Sequence, residues 1–174
     1  MMPTIRDISY LLRQGKLIGL ADETGWSVAA DPTHDDAVRQ LLLLRQPALL
    51  PTVLIGHTEQ LGLYVGKLPD VAFDLVDFAD NPLTVYFPQG KNVAPALLEL
   101  TGPEIAIRRS LTTDVQRLIG GFGKGLLTVP FETTTLPTSA ETVIAERYGA
   151  VPMSMKKPRI MRLGLGGEVQ FIRK

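Results

Sequence analysis

Along the whole chain, short apolar runs alternate with stretches whose apolar residues recur at helical spacing, and few folds accommodate that alternation. Thr4 followed by Asp7 reads as a capping box, after which Ile5, Ile8, Leu11 and Leu12 share one helical face until Gly15. Residues 17–20 read as a buried strand that ends in the polar run from Asp22 to Gly25. A second helix is marked by Thr33 and Asp36, carries Ala37, Val38, Leu41, Leu42 and Leu44 on one side, and ends at Arg45. A strand over 51–55 follows, then a short helix over 58–63. Asp70 opens a helix bearing Val71, Leu75 and Phe78, and Asn81-Pro82 turns the chain into a strand over 83–87. The alternation continues with a helix capped by Asn92 through Leu100, a strand over 104–108, a helix over 114–119 and a strand over 126–129. Thr138 and Glu141 suggest a helix through Tyr148. Residues 159–163 and 168–173 form a hairpin across 164–167, which makes the sheet mixed. With no repeat and no long linker, the 174 residues read as one α/β domain spanning 1–174.

Charge and residue usage remove several function classes. Eighteen Lys and Arg balance eighteen Asp and Glu, so no global field draws the molecule onto nucleic acid or an anionic membrane, and a basic surface has to be local. The absence of cysteine excludes thiol nucleophiles, disulfides and thiolate metal sites. His34 and His57 are far apart, so no metal site is expected and both histidines read as structural. No basic leader precedes an apolar stretch, and no run approaches the ~18 apolar residues of a membrane span, so a cytoplasmic location without membrane contact is expected.

Four segments carry candidate chemistry. Asp22, Glu23 and Thr24 place two carboxylates and a hydroxyl at a strand end, suited to an amine or a metal-bound nucleotide, or simply to a solvated loop. Gly120-Gly121-Phe122-Gly123-Lys124-Gly125 resembles a phosphate loop in composition, but it follows a helix and precedes a strand, so it reads as a connection. Trp26 could stack on a base, though a half-buried anchor is the more ordinary role for it. Basic spots occur at Arg108-Arg109, at Lys156-Lys157 with Arg159 and Arg162, and at Arg173-Lys174. The terminal hairpin would bring the last two together as a phosphate track or as ordinary solubilising surface.

Taken in order, these landmarks resemble the YrdC-like family of threonylcarbamoyl-adenylate synthase domains. Residues 15–31, with Glu23, Thr24 and Asp31, lie where that family has a strand leading into Pro-Thr-Glu-Thr-Val-Tyr-Gly-Leu and a later Ala-Asp. Asn81-Pro82-Leu83-Thr84 is similar to its Gly-Pro-Leu-Thr, and Ile105-Ala106-Ile107-Arg108 to its strand ending in arginine. The resemblance implies a twisted open mixed sheet flanked by helices, with a concave, positive face. It implies an activity that joins L-threonine, bicarbonate and ATP, with a magnesium ion, for tRNA modification, and partners that include double-stranded RNA or tRNA. It places Glu23, Thr24, Arg45, Thr52 and Arg108 at the substrates, Thr24 at the amino acid and Arg108 at an anionic group. Arg109, Lys156, Lys157, Arg159 and Arg162 become the nucleic-acid contacts.

The chain departs from the family pattern at positions that would face ATP. Lys-x-Arg becomes Arg45-Gln46-Pro47, where proline offers no donor. Ser-x-Asn becomes Pro130-Phe131-Glu132, and Glu132 would repel a triphosphate unless a cation faced it. The expected function is therefore an RNA-binding and nucleotide-binding domain of translation or tRNA modification whose catalytic motifs are partly lost. The alternatives are an active L-threonylcarbamoyladenylate synthase and a protein-interaction module. Neither a catalytic residue nor the oligomeric state follows from the sequence.

Overall fold

A computed structural model describes residues 2–174. The chain runs α1 (Ile5–Arg13), β1 (Leu17–Asp22), β2 (Gly25–Ala30), α2 (Asp35–Leu42), β3 (Thr52–Ile55), a single 3-10 turn (Thr58–Gln60), α3 (Leu61–Tyr64), α4 (Val71–Asp77) and β4 (Leu83–Phe87). It continues through α5 (Pro95–Thr101), β5 (Ile105–Arg109), α6 (Thr113–Phe122), β6 (Leu126–Pro130), α7 (Thr138–Glu141), β7 (Ile144–Gly149), β8 (Arg159–Leu163) and β9 (Val169–Arg173). The strands form one mixed sheet in the order β7-β1-β2-β6-β3-β5-β4-β8-β9, parallel at β1–β7, β3–β5 and β4–β8 and antiparallel elsewhere.

Because strand side chains alternate between faces, the register divides the core in two. Val53, Ile55, Val85, Phe87, Ile105 and Ile107 point to one face, where α2, α3, α4 and α5 cover them. Ile18, Leu20, Ala29, Leu54 and Leu126 point to the other, beneath α1 and α6. These two helices approach closely because Gly121 has no side chain: a Cβ there would lie 2.5 Å from Ile5 Cγ2. Arg13 also donates to the Phe122 carbonyl at 2.9 Å. Among the described residues, no helix packs on the second face at β4, β5 and β8. Residues 43–51 cross it instead, setting Leu49 and Leu50 on Tyr86, Ala106 and Ile160.

Several local expectations hold in the structure. Thr4 Oγ1 accepts from the Asp7 N–H at 3.1 Å, and the 120–125 connection holds in its second half only: α6 runs on through Phe122, past the expected end at Ile119, before Gly123 takes a left-handed φ of 94°. The terminal hairpin pairs Met161 with Phe171 and Leu163 with Val169.

Other expectations are corrected. The polar run after β1 is no open strand end. It is a two-residue turn, with Asp22 opposite Gly25, and β2 returns alongside β1. The expected helix from Thr138 through Tyr148 stops at Glu141. Residues 144–149 form β7 in parallel with β1, because pairing at a free sheet edge satisfies more backbone than an isolated helix there could. The second helix is capped by His34, whose Nδ1 accepts from the Ala37 N–H at 3.2 Å, while Thr33 turns back to Asp31. Asn92 does not cap α5, which begins at Pro95; it sits at φ 57° and donates to the Leu63 carbonyl at 2.6 Å.

Candidate functional site

The helix-free part of the second face carries an unusual run of polar side chains for a sheet interior. Register places Thr52 beside Thr128 and Thr84 beside Arg108, and all four are at most 6% exposed. The turn between β1 and β2 brings Asp22, Glu23 and Thr24 onto the same ground. Asp22 Oδ1 accepts from the Thr24 N–H at 2.9 Å and from its hydroxyl at 2.7 Å, which fixes the turn.

Arg108 is the hub of this arrangement. Its Nη2 donates to Asp22 Oδ2 at 2.8 Å and to the Thr24 hydroxyl at 3.2 Å, and its Nη1 donates to Glu23 Oε2 at 3.2 Å. Burial opposes the charge on Arg108, but Asp22 and then Glu23 outweigh that cost and hold its pKa above the ordinary arginine value. Burial likewise pushes the Asp22 carboxyl up, yet Arg108 and the two Thr24 donors dominate and hold it below the usual range. Glu23 is further held by the Leu111 N–H at 2.7 Å and by the hydroxyls of Thr112 at 2.8 Å and Ser110 at 3.2 Å. The guanidinium thus faces the chain's own carboxylates.

Thr24, Thr52 and Arg108, expected together from sequence, do line one cleft, with Thr84, Thr128, Glu132 and Leu50 as neighbours. Its free volume is only about 20 Å³, room for about one water. Thr128 donates to the Thr52 carbonyl at 2.7 Å and Thr52 to the Leu50 carbonyl at 2.9 Å, so two of the hydroxyls are already spent. Glu132, expected to repel a triphosphate, faces a cation from β9: Arg173 Nη1 donates to it at 2.8 Å, and Arg173 Nε donates to the Pro158 carbonyl at 2.9 Å. A nucleoside triphosphate with its magnesium ion does not fit these residues. The cleft is too small as it stands, and its one lining carboxylate, Glu132, is already taken by Arg173.

Arg45 does not join the cleft. It is exposed in a separate hollow with Gln46, Pro47, Leu100 and Thr101 that shares Leu49 and Leu50 with the cleft, and it donates to the Leu42 carbonyl at 2.9 Å. Leu49 and Leu50, not a cation, pack on Tyr86, Ala106 and Ile160 there. Trp26 is half-buried against the main core, with the Arg147 guanidinium 5.5 Å from its ring centroid.

The five residues expected at nucleic acid divide into two groups. Arg109 donates to the carbonyls of Val76, Asp77 and Ala79, and Lys156 donates to Asn81 Oδ1 at 2.9 Å. Lys157 and Arg159 are exposed nearby on the strand-entry segment, where the Arg159 N–H donates to the Pro82 carbonyl. Arg109 and Lys156 thus bond only to neutral oxygens around the 79–82 loop, while the Arg159 guanidinium lies 5.8 Å from the Phe171 ring centroid. Arg162 stands apart in a two-pronged pair with Glu104, at 2.6 and 3.0 Å. Sequence reasoning missed Thr84, Thr128, Ser110 and Thr112. The alternation over 83–87 and the hydroxyls directly after Arg108-Arg109 were the available signals.

No helix among the described residues is long and apolar enough to cross a membrane. Residues 10–163 match the family profile of Sua5, YciO and YrdC, whose description reads telomere recombination. No curated protein matches the sequence. Among solved structures, the chain superposes on Escherichia coli YciO with a TM-score of 0.79 at 17% identity, covering 98% of this chain and 88% of that one. It superposes on Pyrococcus abyssi Sua5 complexed with L-threonine at a TM-score of 0.74 and 22% identity, covering 91% of this chain and 50% of that one. A full-length HypF in a phosphate- and nucleotide-bound form gives a TM-score of 0.75 at 12% identity, covering 97% of this chain and 28% of that one. The chain therefore spans half of Sua5 and about a quarter of HypF.

Proposed function

The chain belongs to the Sua5/YciO/YrdC family, and from that premise we propose that it binds the phosphate backbone of double-stranded RNA or tRNA, in translation or tRNA modification, without the ATP chemistry of a synthase. The observation that carries this reading is Arg109 and Lys156 at the 79–82 loop, bonded only to neutral oxygens, with exposed Lys157 next to them, in a chain whose buried Arg108 is taken by its own carboxylates. Cations not already paired are the ones that can displace counterions from a nucleic-acid backbone. Arg162, paired with Glu104, drops out of the track.

A labelled RNA duplex tests it. Affinity should fall steeply between about 50 and 200 mM salt, and the double variant Lys156→Glu/Lys157→Glu should abolish binding while leaving the fold intact. No binding at the low-salt end removes the RNA reading.

One observation favours a second reading. Thr24, Thr52 and Arg108 converge, as an amino-acid pocket would require, and the related Sua5 was crystallised with L-threonine. Under that reading residues 43–51 swing away to admit substrates. Pyrophosphate release from ATP that depends on both L-threonine and bicarbonate would establish it over the first.

A further inference from the structure

On the opposite side of the sheet, α4 and the β8–β9 hairpin enclose a hollow of about 800 Å³. Its floor is Val71, Leu75, Phe78, Met161, Val169 and Phe171. Phe78 is 74% exposed and Phe171 46%, far more than isolated surface aromatics need. Beside it, β9 closes the sheet order with only one of its two sides paired, so it offers an open row of backbone donors and acceptors. The other sheet edge is guarded. β7 presents Glu146 and Arg147 to solvent, and Arg147 is paired with Glu141.

The charges around the hollow are arranged end to end. Leu163 pairs with Val169 and Ile160 with Arg173, so the hairpin turn marks one end of β9 and the chain terminus the other. Val71 lies against that turn, 3.8 Å from where a Cβ on Gly167 would be. The turn end therefore carries Asp70 and Glu168, and the far end Arg159 and Lys174; Asp74 lies midway along α4, and Asp80 is the one carboxylate out of place. None of these six is in an ion pair among the described residues.

A two-fold interface places the same patch on both partners, so the patch has to complement itself. An apolar centre with an acidic end and a basic end does so when it meets its own copy turned through half a circle. We propose that this face binds a second copy of the chain, β9 running antiparallel to its counterpart, Phe171 and Phe78 filling the hollow, and each acidic end meeting the other copy's basic end. The pairing takes Arg159 for the interface, leaves Arg109, Lys156 and Lys157 outside it and does not rest on RNA binding.

Sedimentation equilibrium of the full chain tests the proposal. The expected mass is about 38 kDa, twice 19.0 kDa, at ~0.1 mM protein. Phe78→Glu, at a position already open to water, should return the mass to that of a monomer with an unchanged circular dichroism spectrum. Glu168→Lys and Lys174→Glu should each weaken the dimer about tenfold, and the two together should restore it. A monomer at ~0.1 mM overturns the proposal, as does a dimer whose mass Phe78→Glu leaves intact. Lys156→Glu/Lys157→Glu should leave the dimer in place even where it removes RNA binding, which separates this interface from the RNA site.

Discussion

One face of the sheet is closed in two different ways. Under α1 and α6, Ile18, Leu20, Leu54 and Leu126 form a dry interior whose stability comes from apolar area and shape. Further along β3 and β6 and on the neighbouring β4 and β5, Thr52, Thr128, Thr84 and Arg108 form a polar interior roofed by Leu49 and Leu50. Leu54 and Thr52 are separated by one residue of β3, yet the first is held by packing and the second by hydrogen bonds. The difference teaches that this scaffold keeps a polar chamber only by supplying each charge within it with a partner from the chain itself.

That contrast can be broken first at Arg108. Replacing it with Ala leaves Asp22 and Glu23 facing each other without their cation, which should cost about 3–5 kcal/mol at neutral pH in a urea melt. The pH dependence gives the sign. The Asp22 carboxyl sits below its ordinary value, about 3.9, when folded, so its contribution is fully present above that value and is lost as pH falls through the folded one. In Arg108→Ala the carboxylates prefer to be protonated, so the deficit relative to the parent chain should shrink on acidification toward about pH 4. A deficit independent of pH would mean that Arg108 acts by packing alone.

Leu54→Ala sharpens the other half of the comparison. It should cost about 2–4 kcal/mol through the cavity it leaves, and the loss should be the same at neutral pH and near pH 4. The smallest effect is expected at the roof. Leu50→Ser should cost only about 1 kcal/mol, because Leu50 is half-buried, but it should speed amide exchange in β3 and β5 without touching β1. Equal acceleration across the sheet would show that residues 43–51 are part of the global core and not a separate cover.

Much of the architecture was legible in the residues. The apolar alternation located β3, β4, β5 and β6, and the Gly-rich connection and terminal hairpin fell where chain order required. Two of the failures share a cause. Gly25–Ala30 and Ile144–Gly149 each become strands because β1 has an open side to fill on either flank, and neither pairing is encoded in a local window. At the site, the residue types were legible and their partners were not. Arg108 reads as an anion-binding group until Asp22 and Glu23 are seen 2.8 and 3.2 Å away, and Glu132 reads as a repulsive intruder until Arg173 arrives from the far end of the chain.

The amino-acid order by itself settled the α/β class, most element positions, the family likeness and the loss of the Lys-x-Arg and Ser-x-Asn patterns, because these rest on spacing within a few residues. Tertiary structure alone decided that the polar cleft has room for about one water, that Arg108 and Arg173 are taken by the chain's own carboxylates, and which arginines remain free. The reason is electrostatic and geometric. A charge acts on whatever lies within a few ångströms, and residues 22 and 108, or 132 and 173, become neighbours only when the sheet is assembled.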